Sequence, residues 1–521
     1  MRSGQQWISF AVTAGARAAS PPPAGDGDLN PELADVARLL RRLVRQAVSA
    51  ARAEEGSVRH LLTSYLGPQV AASPVANGFW PRYDQVNVQA GLDAWLAGPG
   101  REHRIAGLTG LHHQLSSGLA DLAAPGPAQR HSGIGSVTTV ALPSGPDGAT
   151  RPCVQCALYL VTDPDGRLVI LVRPAEEQPG VVVEVACPDY DRGQQVVAEI
   201  RRLAVEHNVF RGHVVGFGSD VFGQRHGTLL SFLGRPEVGR DQVILPPEVL
   251  DGVERQVIGV ARHAGRLLAS GQHLKRGVLL HGAPGTGKTH TVRYLLSQLT
   301  GVTVVVLSGG ALRLISEACS VARTLQPSVI VVEDVDLIAE ERGSRMGQHP
   351  LLFQLLNEMD GLAADADVAF LLTTNRADLL EPALAERPGR VDHAALLPLP
   401  DDQARRRLLR LYQGSLEMEL TDPDAVITRT DGVTASFLKE LLRRAALRAA
   451  ETGDVPLRVT DEHMNAALDE LLDTQNQLTR VLLGAAGRGR GPGGRRGPAT
   501  PGADAVIPHR RTPPPDWPLR R

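Results

Sequence analysis

The chain reads as an α/β protein, a parallel sheet with helices on both faces and a small helical lid, preceded by an α+β N-terminal module. Three observations predict this. From about residue 243 to residue 373, short apolar runs alternate with amphipathic helical patterns, the rhythm of a parallel sheet, in which every step between strands needs a crossover. Beyond Asp401 the pattern turns helical through about Gln475. Upstream, apolar runs of strand length are separated by turn signals such as Asp163-Pro-Asp-Gly166 and Gln178-Pro-Gly180, and a helical stretch follows them.

The elements follow in chain order. Residues 1–30 are rich in Ala, Gly, Pro and Ser without periodicity and read as a disordered leader. The stretch Trp7–Thr13 resembles a secretory signal only weakly, because Arg17 interrupts it, so a cytoplasmic chain is expected. Residues 31–125 read as a helical segment, with Leu33, Val36, Leu39, Leu40 and Val44 at three- and four-residue steps. Residues 134–240 read as an α+β module. Its strands are expected at Val137–Leu142, Cys156–Val161, Leu168–Val172, Val181–Val185, Val214–Phe217 and Thr228–Phe232, with a helix at about Gln194–His207. Residues 242–400 form the large α/β domain and 401–478 the helical lid. Residues 484–521, dense in Arg, Gly and Pro, read as a disordered tail.

A chain of 521 residues with a net charge of −2 holds roughly three domains and is no nucleic-acid-coating protein. No apolar run reaches the roughly 18 residues that a membrane span needs. The 55 basic residues include three lysines, Lys275, Lys288 and Lys439. Cys153 and Cys156 stand at a C-x-x-C spacing with no second pair, so all four cysteines read as buried apolar side chains. The isolated His112-His113 pair carries no metal reading.

The strongest motif is Gly282-Ala-Pro-Gly-Thr-Gly-Lys-Thr289, placed between the apolar run Gly277–His281 and a helical pattern with Val292, Leu295, Leu296 and Leu299 on one face. This is a phosphate-binding P-loop in its proper context: glycines let backbone N–H groups turn inward around a β/γ-phosphate, Lys288 adds a point charge, and the Thr289 hydroxyl reaches a magnesium ion. The predicted binding residues for ATP and Mg²⁺ are Gly282, Ala283, Pro284, Gly285, Thr286, Gly287, Lys288, Thr289 and His290. Downstream, Val329-Ile-Val-Val-Glu-Asp-Val-Asp336 is a buried strand ending in acids. A P-loop enzyme places there the carboxylates that hold magnesium and activate water. Glu333 is therefore the second metal candidate beside Thr289, and Glu333 and Asp334 are catalytic candidates.

With these two motifs in register, residues from about Gln242 to Gln475 resemble the AAA ATPases. Leu355-Leu-Asn-Glu-Met-Asp-Gly361 resembles the helix after the family's acidic strand, Thr373-Thr-Asn-Arg-Ala-Asp378 its sensor segment, and Glu381–Asp392 its second region of homology. The resemblance implies an AAA P-loop sheet, ATP hydrolysis, and a homo-oligomeric ring, commonly a hexamer. It implies that Asn375 orients the attacking water and that Arg387 and Arg390 project into a neighbouring subunit's site. It also implies a lid with Ala435-Ser436 near the nucleotide.

This sequence departs from the family pattern in three places. The acids stand as Glu then Asp, the reverse of the usual order, which makes the water-activating base one methylene shorter and implies slow turnover. The span from Ser308 to Ser328 is short for a pore loop plus helix, and residues 309–315 lack an aromatic, which argues against threading a polypeptide. No His-Glu-x-x-His site is present, and the ending Trp517–Arg521 lacks the docking signal of proteasome-activating relatives. The leading expectation is an ATP-hydrolysing ring protein that remodels or assembles a protein partner selected by its N-terminal module. A slow nucleotide-dependent switch or scaffold is the alternative. Nucleic-acid remodelling rests only on the tail, whose nine arginines and two aspartates from Arg480 onward give +7.

Overall fold

Buried strands of both sheets carry the chain's apolar runs. The computed structural model describes residues 57–109, 117–124, 133–218, 229–339, 350–363, 365–378, 390–451 and 457–473. The leader, the tail and the His112-His113 pair lie outside them.

The first domain opens with α1 (Val58–Leu66), β1 (Val75–Pro81), α2 (Gln85–Leu96), β2 (Glu102–Thr109) and α3 (Leu119–Ala123). There follow β3 (Gly133–Gly135), β4 (Thr138–Pro143), β5 (Thr150–Asp163), β6 (Gly166–Pro174), β7 (Gly180–Ala186) and α4 (Tyr190–Glu206). The strands order as β1-β7-β6-β5-β2-β3, with β4 also on β5, and every pairing is antiparallel. Successive side chains of a strand point to opposite faces. Tyr159 and Val161 thus meet Leu92, Trp95 and Ile200 of α2 and α4 on one face, while Leu158 and Leu160 meet Leu62 and Leu119 of α1 and α3 on the other.

This sheet corrects the helical reading of 31–125, since β1 and β2 lie within that segment and pair with β7 and β5. The inward residues of β1 are Ala76, Gly78 and Trp80, two of them too small to register as an apolar alternation. Gly78 has a packing reason: a Cβ there would stand 2.7 Å from the Trp80 ring. The first half of β2, Glu102-His-Arg104, is exposed and polar, so it carries no burial signal either.

The second domain comprises β8 (Val214–Gly218), β9 (Leu229–Leu233), α5 (Pro247–Glu254), α6 (Val260–Ala269), β10 (Arg276–His281), α7 (Lys288–Gln298) and β11 (Thr303–Leu307). It continues through α8 (Ile315–Thr324), β12 (Ser328–Val332), α9 (Asp336–Ala339), α10 (Pro350–Asp360), β13 (Val368–Thr374) and β14 (His393–Leu396). The strand order is β14-β10-β13-β12-β11-β8-β9. All its pairings are parallel except β8 with β9. Helices α5 and α7 cover one face, and α8 and α10 the other. Strands buried on both faces are continuously apolar, as Val329–Val332 are.

The hairpin β8–β9 departs from the sequence reading, which assigned both strands to the 134–240 module. Val214 and Val215 pair in parallel with Val304 and Val305, so the hairpin extends the nucleotide sheet. Periodicity identifies a short apolar strand but not the sheet it joins. The two domains share a core here. Val86, Leu142 and Cys153 of the first pack with Phe210, Val215, Leu230 and Cys319, Tyr83 meets Phe217 edge-on at 5.8 Å, and the Asn87 side-chain Oδ1 accepts from Val209 N at 2.9 Å.

The lid holds α11 (Asp402–Gln413), β15 (Glu417–Glu419), α12 (Pro423–Arg429), α13 (Ala435–Glu451), β16 (Arg458–Thr460) and α14 (Asp461–Leu472). Leu408, Phe437, Leu438, Leu441, Leu442, Met464 and Leu468 form its core.

Candidate nucleotide site

The P-loop leaves β10 at His281 and enters α7 at Lys288. Its turn demands glycine at two places for different reasons. Gly282 has φ 150°, and a Cβ there would lie 2.5 Å from the Leu397 carbonyl. Gly285 has φ 81°, and a Cβ there would meet the hydroxyls of Thr434 and Ser436 at 2.9 and 3.0 Å. Thr286 braces the loop by donating its hydroxyl to the Ala283 carbonyl at 2.9 Å.

Lys288 is buried and donates its Nζ to the carbonyls of Gly282 (2.9 Å) and Ala283 (3.0 Å). Burial pushes its pKa down, and the nearby carboxylates of Asp334 and Asp336 oppose that shift. An ammonium hydrogen-bonded to loop carbonyls is matched to a triphosphate, whose anionic oxygens are stronger acceptors than neutral carbonyls. His290 instead sets its Nε2 against the Gln242 carbonyl at 3.0 Å, away from the loop's own contacts.

The acids follow β12, whose neighbour β13 delivers Thr373, Thr374 and Asn375 to the same end. The Thr289 side chain lies close enough to Glu333 to lower its pKa, so the two residues read from the sequence as metal ligands are neighbours. Burial raises the Glu333 pKa, the Asp334 charge raises it further, and Thr289 and Arg293 pull it back. A hydroxyl and a carboxylate are hard oxygen donors, the set that suits Mg²⁺.

Asp334 has φ 55°, the left-handed region that costs most residues energy but that Asp and Asn enter more readily. Its N–H donates to the Thr373 hydroxyl at 3.1 Å, and its carboxylate accepts from the Asn375 amide at 3.3 Å. Asn375 and Asp334 are therefore together, as a water-orienting amide and a base would be. Asp336, which the sequence reading left without a role, accepts from the Thr374 hydroxyl at 2.9 Å and from Asn375 N at 3.2 Å.

From the lid, Ser436 donates its N–H to the Gly285 carbonyl at 3.1 Å, and its hydroxyl lies 3.3 Å from the same oxygen. The lid thus touches the P-loop through the residue pair that the resemblance singles out.

Arg390 is placed differently from its expected role. It is buried and forms an ion pair with Asp360 at the end of α10, its Nε 2.7 Å from Asp360 Oδ1, so it is held inside its own domain rather than projecting from it. Arg387 lies outside the described residues. The span after β11 holds a 3₁₀ segment, Gly309–Leu314, running directly into α8, with Leu312 buried.

Cys153, Cys187 and Cys319 are buried and Cys156 half-buried. Burial pushes the thiols of Cys153 and Cys156 up to about 11 and that of Cys319 to about 12, which keeps them unreactive. Among the described residues no helix is long and apolar enough to cross a membrane.

Comparison with known proteins places this geometry. The family described as "ATPase family associated with various cellular activities (AAA)" matches residues 278–399. The ATP-dependent zinc metalloprotease FtsH of Nitrosococcus oceani is 34% identical over 209 residues, 37% of this chain and 32% of that protein. Human ATPase family gene 2 protein homolog A is 33% identical over 230 residues, 42% of this chain and 26% of that protein. The proteasome-activating nucleotidase of Thermococcus gammatolerans is 28% identical over 271 residues, 47% of this chain and 68% of that protein. The chain spans 32% to 39% of the length of the FtsH relatives first matched.

Proposed function

We propose, from the premise that this chain belongs to the AAA ATPases through its nucleotide-binding half, that it binds ATP with Mg²⁺ and hydrolyses it to remodel or assemble a protein partner. The observation that carries this reading is the convergence of Lys288, the Thr289–Glu333 pair and the Asp334–Asn375 pair at one end of the sheet. Thr289 and Glu333 would hold Mg²⁺, which when bound neutralises charge on the β- and γ-phosphate oxygens. Lys288 leaves the carbonyls of Gly282 and Ala283 to bind those phosphates. Asn375 orients a water against the γ-phosphate, and Asp334 takes its proton, since the two already share a hydrogen bond. Arg387 of a neighbouring copy stabilises the charge that develops on the transferred phosphoryl group, which makes a homo-oligomeric ring, of six copies by family habit, part of the site.

The first domain selects the partner. Its shared core with the nucleotide domain would carry motion between them. A cytoplasmic location follows from the ATP supply the reaction needs. A second reading, a slow nucleotide-dependent switch or scaffold, is favoured by one observation: the base is the shorter acid. Any nucleic-acid role rests on the tail alone and ranks below both.

A steady-state ATPase assay with Lys288→Ala as control tests the proposal. Turnover in wild type and its loss, together with Mg-ATP binding, in Lys288→Ala is expected. Tight Mg-ATP binding without turnover in wild type supports the switch, and unchanged binding and turnover in the variant would sink the P-loop assignment.

A further inference from the structure

Asp336 lies two residues beyond the proposed base and outside the metal pair, yet it is one of the most thoroughly engaged acids of the second domain. Its side chain is buried, 8% exposed. One oxygen, Oδ1, accepts from both the Thr374 hydroxyl at 2.9 Å and the Asn375 main-chain N–H at 3.2 Å. Thr374 is fully buried, and its hydroxyl also accepts from Arg376 N at 3.0 Å. These bonds cross from the segment after β12 to the end of β13. Val335 N to the Thr373 carbonyl (2.9 Å) and Asp334 N to the Thr373 hydroxyl (3.1 Å) cross the same way. The result is a ladder continued past the end of the sheet by side chains.

The ladder bears on chemistry because of what hangs from it. Asn375 follows the last residue of β13, and its amide reaches the Asp334 carboxylate at 3.3 Å. A side chain just beyond a strand end has no sheet hydrogen bonds to set its backbone. Here Asp336 holds its N–H and the preceding hydroxyl, so the carboxamide leaves from a fixed point. Burying a carboxylate is costly unless its hydrogen bonds are made, and this one lies close enough to Lys288 for their charges to interact.

We propose that Asp336, through Thr374 and the main chain of Asn375, is a positioning residue for hydrolysis, setting the Asn375 amide against the Asp334 carboxylate. This inference rests on the ATPase reading above. Asp336 acts through Asn375, so it governs the chemical step and leaves nucleotide affinity alone.

The test compares Asp336→Ala with Asp336→Asn, and Thr374→Val with Thr374→Ser, in the full chain, with kcat, Mg-ATP affinity by calorimetry and melting temperature measured for each. Removing the acceptor in Asp336→Ala should lower kcat on the order of 10–100-fold, the usual effect of losing an orienting outer partner, with Mg-ATP affinity unchanged. Asp336→Asn keeps an oxygen that accepts both bonds and should restore most of the rate. Thr374→Val should follow Asp336→Ala in direction, and Thr374→Ser should behave as wild type. Should Asp336→Ala not fold, the Thr374 pair carries the same test with the carboxylate in place.

The inference is overturned if kcat is unaffected in Asp336→Ala or Thr374→Val, if Mg-ATP binding is lost along with kcat, or if Asp336→Asn is as slow as Asp336→Ala. A wild-type chain that binds Mg-ATP without turnover is a separate failure, of the ATPase reading itself, and it takes this inference with it.

Discussion

The two sheets of this chain bury polar side chains for opposite ends. In the antiparallel sheet domain the buried polar groups fasten backbone: Gln85 donates to the Val154 carbonyl at 3.2 Å, Gln89 accepts from Val154 N at 3.0 Å, and Glu184 accepts from Leu119 N at 2.6 Å. Each meets a main-chain partner, and neighbouring strand ends point in opposite directions. In the other sheet every strand but β9 points one way, and Lys288, Glu333, Asp334, Asp336, Thr374 and Asn375 gather at one end of it. Aligned strand ends concentrate chemistry, as ligands in open parallel sheets bind outside the carboxyl ends of the strands. The lesson is that buried polarity alone does not mark a site; its gathering at aligned strand ends does.

The largest effect that sharpens this comparison lies at the arginines. Arg387→Ala should leave Mg-ATP binding intact and cut hydrolysis by something like ~10³-fold if the side chain reaches a neighbour's nucleotide. Mixing that variant with Lys288→Ala should restore part of the activity, because each copy supplies what the other lacks. Arg390→Ala should instead lower the melting temperature, since the ion pair to Asp360 is worth about 1.5–3 kcal/mol as a charge-assisted hydrogen bond. An Arg390→Ala protein of unchanged stability and abolished turnover would restore the projecting role and contradict the placement seen here.

Asp334 sharpens the site side of the comparison. The reversed order of the acids acquires a reason in the backbone: at φ 55° a left-handed position admits Asp more readily than Glu, at a difference of about 1 kcal/mol. Asp334→Glu should therefore lower turnover, because the longer acid either strains the chain or overshoots the Asn375 amide. Faster turnover in that variant, measured beside unchanged Mg-ATP affinity, would show that the site waits for a longer base.

The structural side is tested at the junction between the domains. Asn87→Ala removes the acceptor of Val209 N and should cost about 1–3 kcal/mol of stability, the penalty of a partner left unsatisfied. Turnover per folded molecule should stay near wild type. A loss of turnover at full stability would mean that the first domain gates the site.

How much of this was legible in the chain depends on where the information lies. The P-loop and the strand Val329–Val332 are local patterns, readable because their spacing and continuous apolarity are the structure. β1 is hidden in the sequence because its inward residues include Ala76 and Gly78, and the sheet that the β8–β9 hairpin joins is not readable because pairing with Thr303–Leu307 is a long-range choice. At the site, the nearness of Thr289 to Glu333 is readable from motif position. The bonds of Asp336 to Thr374 and Asn375 span 38 and 39 positions and leave no spacing to read. The one available signal was the alternation Glu333-Asp-Val-Asp336, a second acid just past the first pair. The burial of Arg390 against Asp360 was likewise invisible, because its motif marks a role and not an environment.

The smallest effect concerns the charge of Glu333, one of the two proposed metal ligands. Glu333 has its pKa raised by burial and then by the Asp334 charge. An acid whose folded value lies above its unfolded value favours the folded state most when protonated. Its contribution is fully present below the ordinary glutamate range and is lost as pH rises through the folded value. Above its raised folded value the ionised Glu333 is thus a mild liability of the nucleotide-free protein, the opposite of a fastening group such as Glu184. Glu333→Gln should raise the melting temperature of the nucleotide-free protein slightly at pH values above the raised Glu333 pKa, and that gain should shrink as the pH falls through that value and vanish below the ordinary glutamate range. Mg²⁺ reverses the sign, because the ion needs the carboxylate deprotonated, so the same variant should gain less stability than wild type when Mg-ATP is added. Thermal melts at several pH values, with and without Mg-ATP, measure both effects. A Glu333→Gln protein that is less stable than wild type without nucleotide would place Glu333 among the fastening residues and erase the contrast at that position.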